Sequence, residues 1–257
     1  MNTLKETIIA KLTEIEQKEN VKILYAVESG SRAWGFASPD SDYDVRFIYL
    51  RPREFYLKLE ATRDVIEWQL DEILDINGWD LQKALRLLHS SNPTLFEWAS
   101  SPLIYKTTVV WNDISKEFTD FFQAKRGIYH YLNTANNNYD RHFNQDTVKL
   151  KKYFYVLRPL LACKWILDKN CPPPMLFSEL VATELEADIS PVVEELLALK
   201  TVTSETGEGE RIAVLDDYIE HLIGEIKTRG AALPDADKAD WQFLDDLFRR
   251  TLEVVYR

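Results

Sequence analysis

The chain has 257 residues, of which 46% are hydrophobic and 28% are charged, and this composition excludes disorder as the default state. No apolar run approaches the length of a membrane span, and residues 1–6 lack the charged and apolar regions of a signal peptide, so we expect no membrane contact and a cytoplasmic location. The formal net charge of −11 argues against broad, nonspecific binding of polyanions.

The chain begins with a polar helix and a short apolar strand. The pattern of apolar residues predicts the helix at residues 4–19 and the strand at 21–27, and a turn follows. In this turn Gly30 has no Cβ, so backbone N–H groups can approach a phosphate, and Ser31 adds a hydroxyl group. Taken alone, a Gly-Ser pair after a strand is far more often an ordinary tight turn.

Two aspartates open the next strand. Asp42 and Asp44 begin an apolar run that ends at Leu50 and has the composition of a buried strand. Strand side chains alternate between faces, so both carboxylates project the same way and repel each other unless a cation lies between them. Magnesium prefers carboxylate oxygens completed by water and phosphate oxygens. The pair therefore predicts a magnesium site, and the alternative is an exposed strand end with two solvated acids.

The order of these features resembles a known signature. Gly30-Ser31, a spacer at residues 32–41, and then Asp42 and Asp44, each followed by a hydrophobic residue, are similar to the signature of the DNA polymerase β-type nucleotidyltransferase superfamily. The sequence around these residues resembles one branch in particular, the predicted bacterial nucleotidyltransferases that include the RNA-repair-associated polymerase β family. The two stretches that carry this resemblance are Gly-Ser-Arg-Ala-Trp-Gly-Phe and Ser-Asp-Tyr-Asp-Val-Arg-Phe-Ile-Tyr. The resemblance covers residues 20–105 and is thinner beyond them.

The resemblance implies a third acidic residue on a neighbouring strand. Residues 64–70 and 73–76 have the composition of two adjacent strands, with a turn at 71–72. Asp75 lies between apolar residues, as the third acid of the family does, and Glu67 is the alternative. Asp80 is predicted instead to cap a helix at residues 81–89, because an Asp before an apolar helical repeat satisfies free N–H groups there.

The resemblance also implies a reaction and its cofactor. Asp42 and Asp44 would bind two magnesium ions and Asp75 one of them, while an acceptor hydroxyl attacks the α-phosphorus of a nucleoside triphosphate and pyrophosphate leaves. Arg32 follows the turn, and Arg46 shares the strand face of the aspartates by its even spacing, so both are candidates to meet phosphates. For Arg46, an ion pair with a carboxylate is an equally open alternative.

The second half of the chain changes character. From about Trp111 onward, amphipathic helical patterns replace the β-rich runs. They predict helices at residues 147–167, 177–185, 191–199, 216–228 and 241–255, with a long loop at 200–211. We therefore expect an α+β fold in which residues 1–105 form a nucleotidyltransferase core, with a small mixed sheet and helices, and residues 106–257 form an all-helical domain that closes the active-site cleft. The resemblance implies the same division.

Positive charge is concentrated in one of these predicted helices. The cationic residues are Lys149, Lys151, Lys152, Arg158 and Lys164, with a weaker cluster at Lys125, Arg126, His130 and Arg141. In related nucleotidyltransferases, cationic and tyrosine side chains on a helix of the second domain contact the triphosphate. The resemblance therefore makes Lys152, Tyr155 and Arg158 candidates for nucleotide binding, and their spacing puts them near one helical face. The alternative is a solvated helix face.

Three classes of function remain open from the sequence. The first is an enzyme that transfers a nucleoside monophosphate to an acceptor hydroxyl, for which the family branch suggests an RNA end. The second is nucleotidyl transfer to a small molecule or to a protein side chain, as in other branches of the superfamily. The third is a non-catalytic, nucleotide-binding regulatory protein, since fold and motif do not establish function.

Overall fold

The structure is a computed structural model that describes residues 3–69, 73–202, 207–235 and 240–257. Contacts within the chain divide it into two compact units, and neither unit is continuous in sequence. The first unit comprises Met1–Gly30, Asp42–Phe121 and Lys238–Arg257, and the second comprises Ser31–Ser41 and Phe122–Asp237. A division into domains at residue 105 stays a prediction, while the compact units assign residues 106–121 and the last helix to the first unit.

The first unit contains a mixed sheet of five strands. Their bounds are β1 Lys22–Glu28, β2 Tyr43–Leu50, β3 Val65–Gln69, β4 Leu74–Asp80 and β5 Ile104–Thr107. The strand order is β3-β4-β2-β1-β5, and each neighbouring pair is antiparallel except β2 and β4, which are parallel. The predicted α+β fold with a small mixed sheet is confirmed, and β3 and β4 are adjacent as expected. The predicted turn at 71–72 lies outside the described residues.

Helices make up most of the remaining regular structure. In chain order they are α1 Leu4–Glu19, α2 Gly30–Ala33, α3 Arg53–Tyr56, α4 Leu81–His89, α5 Pro93–Ala99, α6 Val109–Ile114, α7 Ala124–His142, α8 Lys151–Lys169, α9 Phe177–Glu184, α10 Ser190–Val202, α11 Ala213–Ala231 and α12 Trp241–Val255. A 3₁₀ helix, Ser115–Phe121, follows α6. No helix in the described ranges is both long enough and apolar enough to cross a bilayer.

The core of the first unit forms where α1 packs on the sheet. Thr3 and Glu6 make a capping box that starts the helix, since each side chain satisfies a free backbone N–H of the other. Ile8, Leu12 and Ile15 follow at helical spacing and are at most 2% exposed. They pack in one apolar cluster with residues of β1, β2 and β4. This packing supports β2, the strand that contains Asp44.

The second unit is built around α8, whose apolar side chains form the centre of a separate core with α7, α9 and α11. The helix predicted at residues 147–167 begins only at Lys151, because Thr147–Lys149 forms a short strand, β6. This strand pairs with Glu208–Glu210, β7, inside the predicted loop at 200–211, and residues 203–206 of that loop lie outside the described part. The prediction of an uninterrupted helix was wrong there, because a pairing with a distant segment overrides the local periodicity.

Asp80 gives the first unit a defined dependence of stability on pH. The Asp80 carboxylate caps α4 by accepting the Gln82 N–H at 2.8 Å, as expected, and it accepts the Tyr56 hydroxyl at 2.9 Å. Burial raises the pKa of Asp80 to about 6 from its ordinary value of 3.8. Between about pH 4 and about pH 6, Asp80 therefore keeps its proton in the folded protein but loses it in the unfolded chain. The free energy of unfolding should fall as the pH rises through this range.

An Asp80→Asn variant tests this dependence. In the wild type, the rise of about two units in the pKa of Asp80 corresponds to a loss of up to about 3 kcal/mol in the free energy of unfolding between about pH 4 and about pH 6. The neutral amide keeps an acceptor for the Gln82 N–H but cannot ionise. The free energy of unfolding of the variant should therefore lack this fall with pH. Urea unfolding of both proteins between pH 4 and pH 7 measures the difference. If the two free energies of unfolding run parallel over that range, Asp80 is not the group that titrates.

Candidate active site

The pairing of β2 with β4 brings two of the predicted carboxylates together. Asp44 and Asp75 are direct register partners in the parallel ladder between these strands. Glu67, the alternative third acid, lies one strand further away, opposite Asn77, and its carboxylate pairs with Arg63. The register therefore favours Asp75 over Glu67 as the acid beside Asp44, although a metal-binding role stays a prediction for either residue.

Arg46 joins the two carboxylates. One guanidinium nitrogen of Arg46 lies 2.7 Å from Asp44 Oδ1 and 2.8 Å from Asp75 Oδ2. The even spacing of Asp44 and Arg46 on β2 puts both side chains on one face of the sheet, as expected. The sequence left two roles open for Arg46, an ion pair with a carboxylate or contact with a phosphate, and the structure shows the ion pair. Contact with a phosphate remains a prediction.

Asp44 lies close enough to Asp42 and Asp75 for their negative charges to affect its pKa. Burial raises the pKa of Asp44, the Arg46 cation lowers it, and the charges of Asp75 and Asp42 raise it again, with a net upward shift. Asp42 is exposed and lies one residue before β2 begins, rather than inside the strand as predicted. Three carboxylates thus interact within one site, and a cation bound there would relieve their repulsion.

The Gly-Ser turn lies directly against Asp44. Gly30 adopts a φ of +60°, and a Cβ at this position would fall 2.1 Å from Asp44 Oδ2. Two backbone groups hold the contact: the Ser29 N–H donates to the Asp44 carbonyl at 2.8 Å, and the Asp44 N–H donates to Glu28 Oε1 at 2.7 Å. The absence of a side chain at Gly30 is therefore a requirement of the approach between the turn and the aspartate strand.

Glu28 is a site residue that the sequence analysis missed. Its side chain is completely buried at the end of β1, where it accepts the backbone N–H of Asp44 and the hydroxyl of Tyr105. The Ser101 hydroxyl donates to the Glu28 carbonyl at 2.6 Å. A buried carboxylate is retained only where it is hydrogen-bonded, and these bonds fix the backbone at Asp44. The available signal was an acidic residue that ends an apolar strand just before the Gly-Ser pair.

Ser31 and Arg32, the other predicted residues of the turn, belong to the second unit. Ser31 is 7% exposed, and its carbonyl accepts the Phe36 N–H at 3.1 Å. The Arg32 guanidinium donates to the Ser41 carbonyl at 2.6 Å and so links the two ends of the loop at residues 31–41. These bonds give the loop a defined shape. Nucleotide contacts of both side chains stay predictions.

The three candidates on α8 line up along one side of the helix. The Lys152 ammonium lies 5.1 Å from the centre of the Tyr155 ring, and the Tyr155 and Trp34 rings pack nearly perpendicular with 5.8 Å between their centroids. The Arg158 guanidinium lies 4.5 Å from the centre of the Trp34 ring and donates to the Met175 carbonyl at 3.3 Å. Arg158 is only 3% exposed, so its placement favours support of Trp34 over contact with a nucleotide.

The carboxylates fit a magnesium ion by their chemistry. Oxygen donors are the ligands that this hard cation prefers. Burial is the main cause of the raised pKa of Asp44, and the charges of Asp75 and Asp42 add to it, a repulsion that a cation would relieve. Among the residues that the structure describes, no group of three or more His, Cys, Asp and Glu side chains is already arranged to hold a metal ion. Arg46 provides the neutralising charge between Asp44 and Asp75 in the observed arrangement.

A mixed sheet with carboxylates on two parallel neighbours and a glycine turn against one of them is the arrangement of a polymerase β-type nucleotidyltransferase. A family model of the RNA repair pathway DNA polymerase beta family (RlaP) matches residues 4–250, and the chain belongs to this family.

Two further comparisons found proteins similar to this chain. The uncharacterised protein YcgL of Bacillus subtilis (strain 168) is 44% identical over 259 residues, which cover 99% of this chain and 98% of YcgL. Among solved structures, the nucleotidyltransferase-like protein from Exiguobacterium sibiricum 255-15 is 17% identical, with a TM-score of 0.34 over 95% of this chain and 80% of that one.

Proposed function

We propose that the protein is a magnesium-dependent nucleotidyltransferase that moves a nucleoside monophosphate from a nucleoside triphosphate to an acceptor hydroxyl. The observation that carries this proposal is the juxtaposition of Asp44 and Asp75 across β2 and β4, with Gly30 in direct contact with the Asp44 carboxylate. Membership of a polymerase β-like family supports the general class of reaction. The metal, the two-ion mechanism and the acceptor are parts of the proposal.

In the proposed reaction the acceptor oxygen forms a bond to the α-phosphorus, the bond from that phosphorus to the bridging oxygen breaks, and pyrophosphate departs. Asp42, Asp44 and Asp75 would hold magnesium, which when bound neutralises charge on the attacking and departing oxygens. Asp75 is the candidate to accept the proton of the acceptor hydroxyl, the role that the resemblance implies for the third acid. Gly30 leaves room for the Asp44 carboxylate to lie against the turn.

Arg46 and a bound divalent cation would share the same two carboxylates. Its guanidinium bonds one oxygen of Asp44 and one of Asp75, and a divalent cation would use oxygens of the same two carboxylates. Cation binding and the Arg46 ion pairs are therefore coupled. When these pairs loosen, Arg46 becomes available to the phosphate groups of the nucleotide, the other role predicted for it.

An RNA end is the acceptor that we propose, and the description of the family as an RNA repair pathway family supports it. RNA binding through phosphates releases counterions, so the rate of transfer at low RNA concentration should fall steeply with added salt. Transfer to a small, uncharged acceptor would show little dependence on salt. A salt titration of the rate thus separates these acceptors.

The deciding experiment measures transfer of label from each α-labelled nucleoside triphosphate, with magnesium, into the RNA, protein and small-molecule fractions of a bacterial extract. Asp42→Ala is the control, because Asp42 is exposed and precedes β2, so the substitution removes a carboxylate without opening the core. We expect label in the RNA fraction that depends on Asp42.

Other outcomes would contradict separate parts of the proposal. Label that appears in the protein or small-molecule fraction instead would overturn the acceptor but keep the reaction. Magnesium-dependent binding of triphosphate without label in any fraction would identify a nucleotide-binding regulatory protein.

A further inference from the structure

A pocket of about 470 Å³ opens on the second unit between the end of α7, the β6–β7 pair and the start of α8. We call it the basic pocket, and the charged or titratable side chains that line it are Arg141, His142, Lys149, Lys151, Lys152 and Glu208. Its volume is within the range of ordinary ligand sites. Four of these residues are cations at neutral pH, in a chain with a net charge of −11.

We propose that this basic pocket binds backbone phosphates of a single-stranded RNA acceptor. The inference rests on the proposed function only in taking the acceptor to be RNA. It places a binding surface for that acceptor on the second unit, built from residues of α7 and β6 in addition to α8. The four cations fall within residues 141–152, and β7, about 60 residues further along the chain, completes the lining through Glu208.

The cations in the basic pocket lie close enough to affect one another. The pKa of His142 is lowered first by burial and then by the positive charges of Lys152, Arg141 and Lys149. Bringing like charges together costs free energy, and a bound polyanion would offset that cost. The net charge of the pocket lining is positive, whereas that of the whole chain is negative. The basic pocket is therefore a site where an anion can bind although the net charge of the protein repels anions.

The polar lining indicates phosphate rather than base recognition. Asn144, Gln145 and Thr147 provide amide and hydroxyl groups beside the cations, and these groups are common partners of phosphate oxygens. Among the lining residues of the described chain, none is Phe, Tyr or Trp, the side chains on which unpaired bases stack. Contacts of this kind hold a strand without reading its sequence.

The test measures binding of a labelled single-stranded RNA of about 12 nucleotides by fluorescence anisotropy across a series of salt concentrations. Four cations that each neutralise one phosphate predict a slope of about −3 for log K against log salt. Lys149→Gln with Lys151→Gln removes two of these cations, so the slope should become shallower by about 1.4. Binding at 0.1 M salt should then weaken by about 25-fold.

A matched control removes the same charge elsewhere. Lys5→Gln with Lys227→Gln changes two exposed lysines outside the basic pocket and should bind RNA like the wild type, apart from the small effect of net charge. Thermal unfolding of both double variants checks that each is folded. Equal RNA binding by the two double variants, or no RNA binding by the wild type, would overturn the proposal.

A nucleoside triphosphate offers the same phosphate chemistry, so binding of triphosphate with magnesium is measured on the same proteins. We expect the Lys149/Lys151 double variant to retain it. Loss of triphosphate binding with RNA binding unchanged would identify the basic pocket as a nucleotide site and overturn the proposal. If the wild type shows no nucleotidyl transfer but the basic-pocket variant still loses RNA binding, the proposed function fails while this site stands.

Discussion

The Asp44→Asn protein is expected to lose nucleotidyl transfer by about 1000-fold or more while it remains folded. A bound metal stabilises the charge of the reaction by several kcal/mol, and each 1.4 kcal/mol corresponds to a factor of ten in rate. The amide is nearly the same size as the carboxylate but is a far weaker ligand for a hard cation. The measurement is the rate of label transfer from an α-labelled triphosphate, at saturating magnesium, to the acceptor found in the fraction assay.

Stability should change little in this variant. Backbone groups make the bonds that hold Asp44 in place, with Ser29 and Glu28 as partners, and these are unchanged by the substitution. Burial already raises the pKa of Asp44, so a neutral amide removes a desolvation cost while Arg46 keeps Asp75 as a partner.

Asp64→Asn is the matched control, because it also removes one carboxylate from an ion pair, with Lys83, away from Asp44. Near-normal transfer by the Asp44 variant, or an equal loss in the Asp64 variant, would count against the assigned role.

Gly30→Ala is expected to reduce transfer by about 100-fold, the effect that a displacement of about 1 Å at a reacting centre can have. The new Cβ would fall 2.1 Å from Asp44 Oδ2, so either the carboxylate or the turn must move. The φ of +60° adds strain of about 1–2 kcal/mol for a residue with a side chain. The measurements are kcat/KM for transfer and the free energy of unfolding in urea.

Two other glycines separate the effect on the site from the effect on stability. Gly78→Ala would bring a Cβ to 2.1 Å from the Phe47 ring, so it should destabilise the sheet without direct contact with Asp44. Gly224→Ala meets no atom within 4 Å on α11 and should raise stability by roughly 0.5–1 kcal/mol. If the Gly30 variant loses no more activity than the Gly78 variant at equal stability, the contact with Asp44 has no special role.

Local signals made several elements predictable from the sequence. Helices α1, α4 and α12 begin and end at the residues predicted, and each starts at a side-chain cap, from Thr3, Asp80 and Asp240 respectively. A cap acts over three or four residues, so it is visible in the chain itself. The strand β6 was missed because its reason for existing is β7, about 60 residues further on, and no local pattern contains that pairing.

The sequence by itself determined the class of protein and the members of the site that share a strand. The alternation of side chains along β2 was enough to put Asp44 and Arg46 on one face. Only the tertiary structure decided that Asp75 rather than Glu67 lies beside Asp44, that Glu28 holds the backbone there, and that Glu208 of β7 completes the basic pocket. Each of these depends on strand register or packing between distant segments, whose free energy arises only when the chain is folded.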